Sequence, residues 1–178
     1  MKYRQIYAKK RNVGCCMTPF ELDKTLSTMV ICVDSREKKN SHILAWFDKH
    51  SIEYEVRKLD VADYMIEGGK TVIDRKQNLS EVCHNLMLAS DKRRFMDEIR
   101  RGKEAGIDFI LLIEHGGDVR CIEDVKNWKN KYSRVPPVVL MNALHKLSVQ
   151  YNVRVEFCRK SQTAKRIVEL LEGKNGTT

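Results

Sequence analysis

The sequence predicts an α/β domain with a mixed central sheet, and three observations carry that prediction. Residues 29–34 and Asp108–Glu114 are continuous apolar runs of strand length ending in a carboxylate, as expected of strands buried on both faces. Between such runs lie segments with apolar residues at three- and four-residue steps, such as Leu79, Val82 and Leu86, the spacing of one helix face. Finally, Tyr64–Ile66 and 71–73 flank Gly68-Gly69, a turn that tolerates positive φ, and so read as a β-hairpin. Strands alternating with helices give the α/β class.

Taken in order, residues 1–28 form a basic N-terminal arm and a short helix. Lys2, Arg4, Lys9, Lys10 and Arg11 carry charge that no acid balances. Thr18-Pro-Phe-Glu21 has a helix start's Thr cap, Pro at the first position and Glu at the third. The run 29–34 is a central strand. Ile43, Leu44, Trp46 and Phe47 mark a helix over 41–50, and residues 53–59 alternate as a strand. After the hairpin come helices over 79–89 and 91–105, the second with Phe95 and Ile99 inward and ended by Gly106. Strand 108–114 follows, then at most a short helix at 122–127. Pro136-Pro137 opens a helix to about Tyr151; 153–157 is a strand and 162–171 the last helix. Residues 29–172 thus form one domain, and 173–178 a flexible tail. No repeat, low-complexity block or interdomain linker interrupts the chain.

The 178 residues suffice for one domain with a full core. No apolar run reaches the roughly 18 residues of a membrane span. The start, Met1-Lys-Tyr-Arg-Gln-Ile-Tyr, lacks an apolar signal core, so a cytoplasmic protein is expected. The six cysteines are scattered with no C-x-x-C pair, which suits reduced buried thiols better than zinc or disulfides. A net charge of +9 favours a polyanionic partner, nucleic acid before anionic membrane.

Two groups of residues carry chemistry. Asp34-Ser-Arg-Glu37 directly follows the central strand, where α/β sheets place their sites. The hairpin brings Asp63 beside Asp74, and Lys76, two residues on, faces the same side as Asp74. Two carboxylates and an ammonium on one face suit a hard divalent cation and a phosphodiester. The carboxylates would hold Mg²⁺ or Mn²⁺, and the Lys would orient the attacking water or offset the charge of the pentavalent state. An acid, about ten residues, then acid-x-Lys is the layout of the PD-(D/E)xK nuclease superfamily. Either group alone also reads as an ordinary solvated loop or hairpin.

Together and in this order, Val33-Asp-Ser-Arg-Glu37, Leu59-Asp-Val-Ala-Asp-Tyr64, Val72-Ile-Asp-Arg-Lys76 and Asn78-Leu-Ser-Glu81 resemble the XPF-type structure-specific endonucleases. That family's motif is Gly-Asp, a spacer, then Glu-Arg-Lys-x-x-x-Asp, preceded by an Asp-x-Arg-Glu strand end. The resemblance covers roughly 29–158 and is nearest to short stand-alone bacterial or phage members. It implies a restriction-endonuclease-like fold, with a mixed central sheet flanked by helices, and a metal-dependent DNA endonuclease acting on branched or flapped DNA in repair, recombination or phage DNA metabolism. By position, Asp63 and Asp74 match the metal-holding acids, Arg75 and Lys76 the Arg-Lys, and Asp34, Arg36 and Glu37 the upstream group. Arg36 or Arg75 is then the phosphate contact, and homodimerisation is an expected partner mode. The chain shows neither the length nor the Gly-rich hairpins of the family's tandem helix-hairpin-helix module.

Three positions depart from the motif. Ala62 stands for Gly, which matters if the turn needs positive φ. Asp74 stands for Glu, a shorter arm that still ligates a hard cation. Ser80 stands for the final Asp, with Glu81 next door, about 100° round the helix. Glu81 is the candidate third metal ligand with Asp63 and Asp74.

The competing reading is a non-catalytic DNA-binding or scaffold subunit with a degenerate site; an RNA-binding accessory rests on charge alone. Glu114 reads equally as a cleft residue or an ordinary strand-end acid. Arg93, Arg94, Arg100, Arg101 and Lys103 would track DNA phosphates or form a salt-bridged surface with Asp91, Asp97, Glu98 and Glu104. The five histidines lack metal-ligand spacing, and Trp46 is a core residue.

Overall fold

A computed structural model describes residues 29–129 and 134–173. The expected basic arm, its Thr18 helix start and the tail beyond Gly173 lie outside them.

Six strands form one sheet in the order β2-β1-β3-β4-β5-β6. They are β1 (Ile31–Asp34), β2 (Tyr54–Arg57), β3 (Tyr64–Ile66), β4 (Thr71–Lys76), β5 (Asp108–Glu114) and β6 (Arg154–Cys158). β3 is antiparallel to both of its neighbours, β1 and β4, while the pairs β1–β2, β4–β5 and β5–β6 are parallel. The sheet is therefore mixed, as expected, with β3 alone reversed. The carboxyl ends of β1, β4 and β5 and the amino end of β3 emerge at the same edge of the sheet. The hairpin turn closes through the Gly69 N–H donating to the Ile66 carbonyl at 2.9 Å, with Gly68 at φ 71°.

The helices are α1 (Ser41–Lys49), α2 (Leu79–Met87), α3 (Ala89–Glu104), α4 (Pro137–Tyr151) and α5 (Thr163–Leu171), with a short 3-10 turn at Glu123–Asn127. Two cores explain why β5 reads as uninterrupted apolar sequence. Phe109, Leu111 and Ile113 face a core built with α2, α3 and α4; Ile110 and Leu112 face a second core with α1 and α5. The period of two sends alternate residues to opposite faces, and both faces are covered. α2 begins at Asn78, whose side chain accepts the Glu81 N–H at 2.9 Å, while the Glu81 carboxylate accepts the Gln77 N–H at 2.8 Å, a variant of the capping box. α3 starts two residues earlier than its sequence pattern suggests. Trp46 lies at the margin of the second core, half-buried and stacked on His50 at 3.8 Å between ring centroids. The described cysteines, Cys32, Cys83, Cys121 and Cys158, are all free thiols. Among the described residues no helix is long and apolar enough to cross a membrane.

Candidate active site

The shared sheet edge opens into a cleft of about 350 Å³. Its floor is the strand ends, and α2 and α3 form one wall. Asp34, Arg36, Glu37, Asp63, Asp74, Lys76 and Glu81 all line it, so the structure gathers seven of the eight residues singled out from sequence. The eighth, Arg75, points elsewhere.

Backbone hydrogen bonds extend the ladder to bring the acids together. The Asp34 N–H donates to the Asp63 carbonyl at 2.8 Å, and the Asp63 N–H to the Ile73 carbonyl at 3.0 Å. The Arg75 N–H donates to Asp63 Oδ2 at 2.8 Å and so fixes that carboxylate. Burial, together with the negative charge of Asp74, pushes the Asp63 carboxyl well above the usual range. Asp74 is 4 % exposed. Lys76 Nζ lies 2.7 Å from Asp74 Oδ2, a close ion pair inside the cleft. Burial alone would lower the Lys76 ammonium; the charges of Asp74 and Asp63 outweigh it and hold the group up and charged. The Phe95 ring, 5.1 Å from Nζ, backs it.

Asp34 is committed to Arg36, which donates from Nε at 2.7 Å and from its backbone N–H at 3.1 Å. Arg36 also donates to the Leu59 carbonyl at 2.6 Å. Burial would raise the Asp34 carboxyl, but the guanidinium outweighs it and the net direction is down. Arg36 is thereby held at the mouth of the cleft with its side chain 58 % exposed.

Arg75 is an internal strut. Its side chain is 1 % exposed; Nε donates to Glu114 at 2.8 Å and Nη1 to Glu37 at 3.3 Å. A guanidinium committed to two carboxylates beneath the surface does not reach a phosphate, which leaves Arg36 as the candidate contact. Glu114 faces the same interior, accepting from the Thr163 hydroxyl at 2.8 Å and lying 3.3 Å from His42 Nε2. Its contacts make it the strut's partner, and His42 is less incidental than its spacing suggested.

At the departures from the motif, Ala62 has φ 61°, so the turn does adopt the left-handed backbone that Gly would take without strain. What holds it is Glu98 on α3, whose Oε1 accepts the Ala62 N–H at 2.6 Å. Glu98 lines the cleft, and burial and the charge of Asp74 raise its carboxyl. Sequence reasoning placed Glu98 among the acids of a solvated face. Its signal was the position three residues past inward-facing Phe95. Glu81 reaches the cleft while Ser80 does not line it. One Glu81 oxygen is already engaged by the Gln77 N–H.

Whether these residues suit a divalent cation can be read from their chemistry. Among the described residues no three His, Cys, Asp or Glu form a ready-made cage. Mg²⁺ needs none, since it keeps several waters and takes one or two carboxylates plus substrate oxygens. Asp63 and Asp74 are hard oxygen donors set side by side, and a cation would relieve their mutual repulsion. The residues fit.

The family model of the ERCC4 domain matches residues 33–171. The fold is similar to XPF from Aeropyrum pernix, with a TM-score of 0.62 and 19 % identity over 80 % of this chain and 63 % of that one. It is also similar to XPF from Aeropyrum pernix in complex with DNA, with a TM-score of 0.60 and 19 % identity over 81 % of this chain and 64 % of that one. The chain thus spans a little under two thirds of those structures. No curated protein gives a significant match. With the family match spanning all six strands from Val33 onward and the fold agreeing with it, the chain belongs to the ERCC4 domain family.

Proposed function

We propose that this protein is a divalent-metal-dependent DNA endonuclease that hydrolyses phosphodiester bonds in branched or flapped DNA, in repair, recombination or phage DNA metabolism. The observation that carries the reading is Asp63, Asp74 and a charged Lys76 converging in one cleft at the sheet edge. Family membership and the likeness to XPF structures support it.

Asp63 and Asp74 would hold Mg²⁺ or Mn²⁺, with Glu81 at the same cleft. Such an ion, when bound, acidifies water and polarises a phosphoryl oxygen. The chain's own residues do the rest. The Lys76 ammonium, held charged beside Asp74, donates to the attacking water and offsets charge on the pentavalent phosphate. Arg36, pinned by Asp34 and the Leu59 carbonyl, offers its exposed donors to a phosphate oxygen at the mouth. The Arg75–Glu114 strut and the Glu98 bond to Ala62 keep the two acid-bearing strands in place. Positioning of this kind is what phosphodiester hydrolysis asks of a protein. Homodimerisation belongs to the same proposal.

The test is incubation of the purified protein with Mg²⁺ or Mn²⁺ and forked, flapped and linear duplexes. We expect metal-dependent cleavage that prefers the branched substrates. No cleavage of any substrate would leave the non-catalytic DNA-binding subunit as the better reading.

A further inference from the structure

Helix α3 carries six Lys and Arg residues, and only two of them line the cleft: Arg94 and Arg101. With Glu98 they stand at i, i+4 and i+7, one face of a helix. The other basic residues point away, and Arg100 is tied to Asp97 at 2.7 Å. The Arg94 side chain is 78 % exposed, and among the described residues it pairs only with Asp91, at 3.3 Å. Arg101 gives one donor to the Asp60 carbonyl at 3.3 Å, and among the described residues no carboxylate lies within ion-pair distance of it. Each guanidinium has five N–H donors, so most remain uncommitted. Part of Arg101's charge offsets Glu98. That does not account for Arg94, whose fork stays open to solvent on the cleft side.

We propose that Arg94 and Arg101 are a phosphate-binding rail that lays one nucleic-acid strand along α3. The proposal rests on the reading that the cleft takes nucleic acid. Seven residues of helix separate the two side chains by about 10.5 Å. That spacing lets the two side chains hold separate phosphates of one strand. Arg94 and Arg101 then grip backbone on the α3 side, with Arg36 at the mouth and the scissile bond between them over Asp63 and Asp74. The contacts are to phosphates, so they set the path and register of the strand without reading its sequence.

The test is equilibrium binding of a fluorescein-labelled forked duplex to the full chain in EDTA, repeated across a salt series. Arg94→Ala with Arg101→Ala should lower the slope of log K against log salt by about 1.4–1.8, two contacts at roughly 0.7–0.9 each. Arg100→Ala with Lys103→Ala removes the same formal charge from the outward side of the helix and should leave the slope near wild type. Arg94→Lys with Arg101→Lys keeps both charges and should retain most of it, which guards against a folding defect in the alanine pair. Equal slope losses in the inward and outward pairs would overturn the rail, as would wild-type protein that binds no DNA. Binding without metal is read independently of cleavage. Wild-type cleavage with an unchanged inward-pair slope overturns the rail and leaves the nuclease reading standing. Loss of slope in a protein that never cleaves does the reverse.

Discussion

Replacing Glu98 separates its two roles, as an acceptor for the Ala62 turn and as a charge beside Asp74. Ala62 is 2 % exposed and left-handed, and its N–H has one acceptor, Glu98 Oε1 at 2.6 Å. Glu98→Ala strands that donor. Losing a hydrogen bond to a charged group costs about 1.5–3 kcal/mol. For a chain of this size, that lowers Tm by roughly 3–12 °C. The left-handed alanine, itself strained by about 1–2 kcal/mol, is then free to relax. Asp63 is the next residue, so the relaxation moves a metal-holding acid, and kcat should fall at least 10-fold. Glu98→Gln keeps the acceptor and removes a charge that burial and Asp74 both disfavour. Its Tm should equal or slightly exceed wild type, with most activity kept. Differential scanning calorimetry in EDTA and single-turnover cleavage of a flapped duplex read the two effects. If Gln and Ala lower Tm equally, the hydrogen bond is not what holds the turn.

Asp63→Asn preserves an acceptor for the Arg75 N–H but removes a carboxylate disfavoured by burial and Asp74; Tm in EDTA should rise by a few degrees, about 0.5–2 kcal/mol, while cleavage is lost. A Tm fall with the circular dichroism spectrum unchanged would contradict that. Arg75→Ala leaves Glu114 and Glu37 without their cation inside the protein, and urea unfolding should show a loss of about 3–5 kcal/mol, against under 1 for exposed Arg94→Ala. Burial works to raise the Glu114 carboxyl, but Arg75 and Thr163 outweigh it and the net direction is down. The stability it contributes is therefore full above its unfolded value of 4.5 and is lost as pH falls through the lower folded value. Acid unfolding of Glu114→Gln should accordingly be less steep than that of wild type over this range.

Local pattern carried most of the fold because each element's signal is contained within it. Gly68-Gly69 announces the hairpin, and the uninterrupted apolar run of β5 announces a strand covered on both faces. The two acids followed for the same reason, since a hairpin of known turn fixes which residues lie side by side. What stayed hidden depends on long-range pairing. Thr163 meets Glu114 across 49 residues, and Glu98 meets Ala62 across 36. No period in the sequence encodes either meeting. Arg75 misled for a related reason. Its neighbour Lys76 faces the cleft, and strand alternation sends Arg75 to the other side, where Glu114 arrives from β5 to receive it. Ala62 was legible only as a condition. The chain meets it with a left-handed alanine and a buried carboxylate to hold it.

The central claim is that Asp63, Asp74 and Lys76 form a metal-dependent site for phosphodiester hydrolysis. It is tested most directly by comparing wild type and Asp74→Ala on a labelled flapped duplex, in Mg²⁺ and in EDTA, with cleavage and binding followed in the same samples. Cleavage should appear only for wild type in Mg²⁺ and should fall by at least 10³-fold in Asp74→Ala, about 4 kcal/mol of transition-state stabilisation, with DNA binding retained. Cleavage by Asp74→Ala at the wild-type rate, or wild-type cleavage that persists in EDTA, would contradict it.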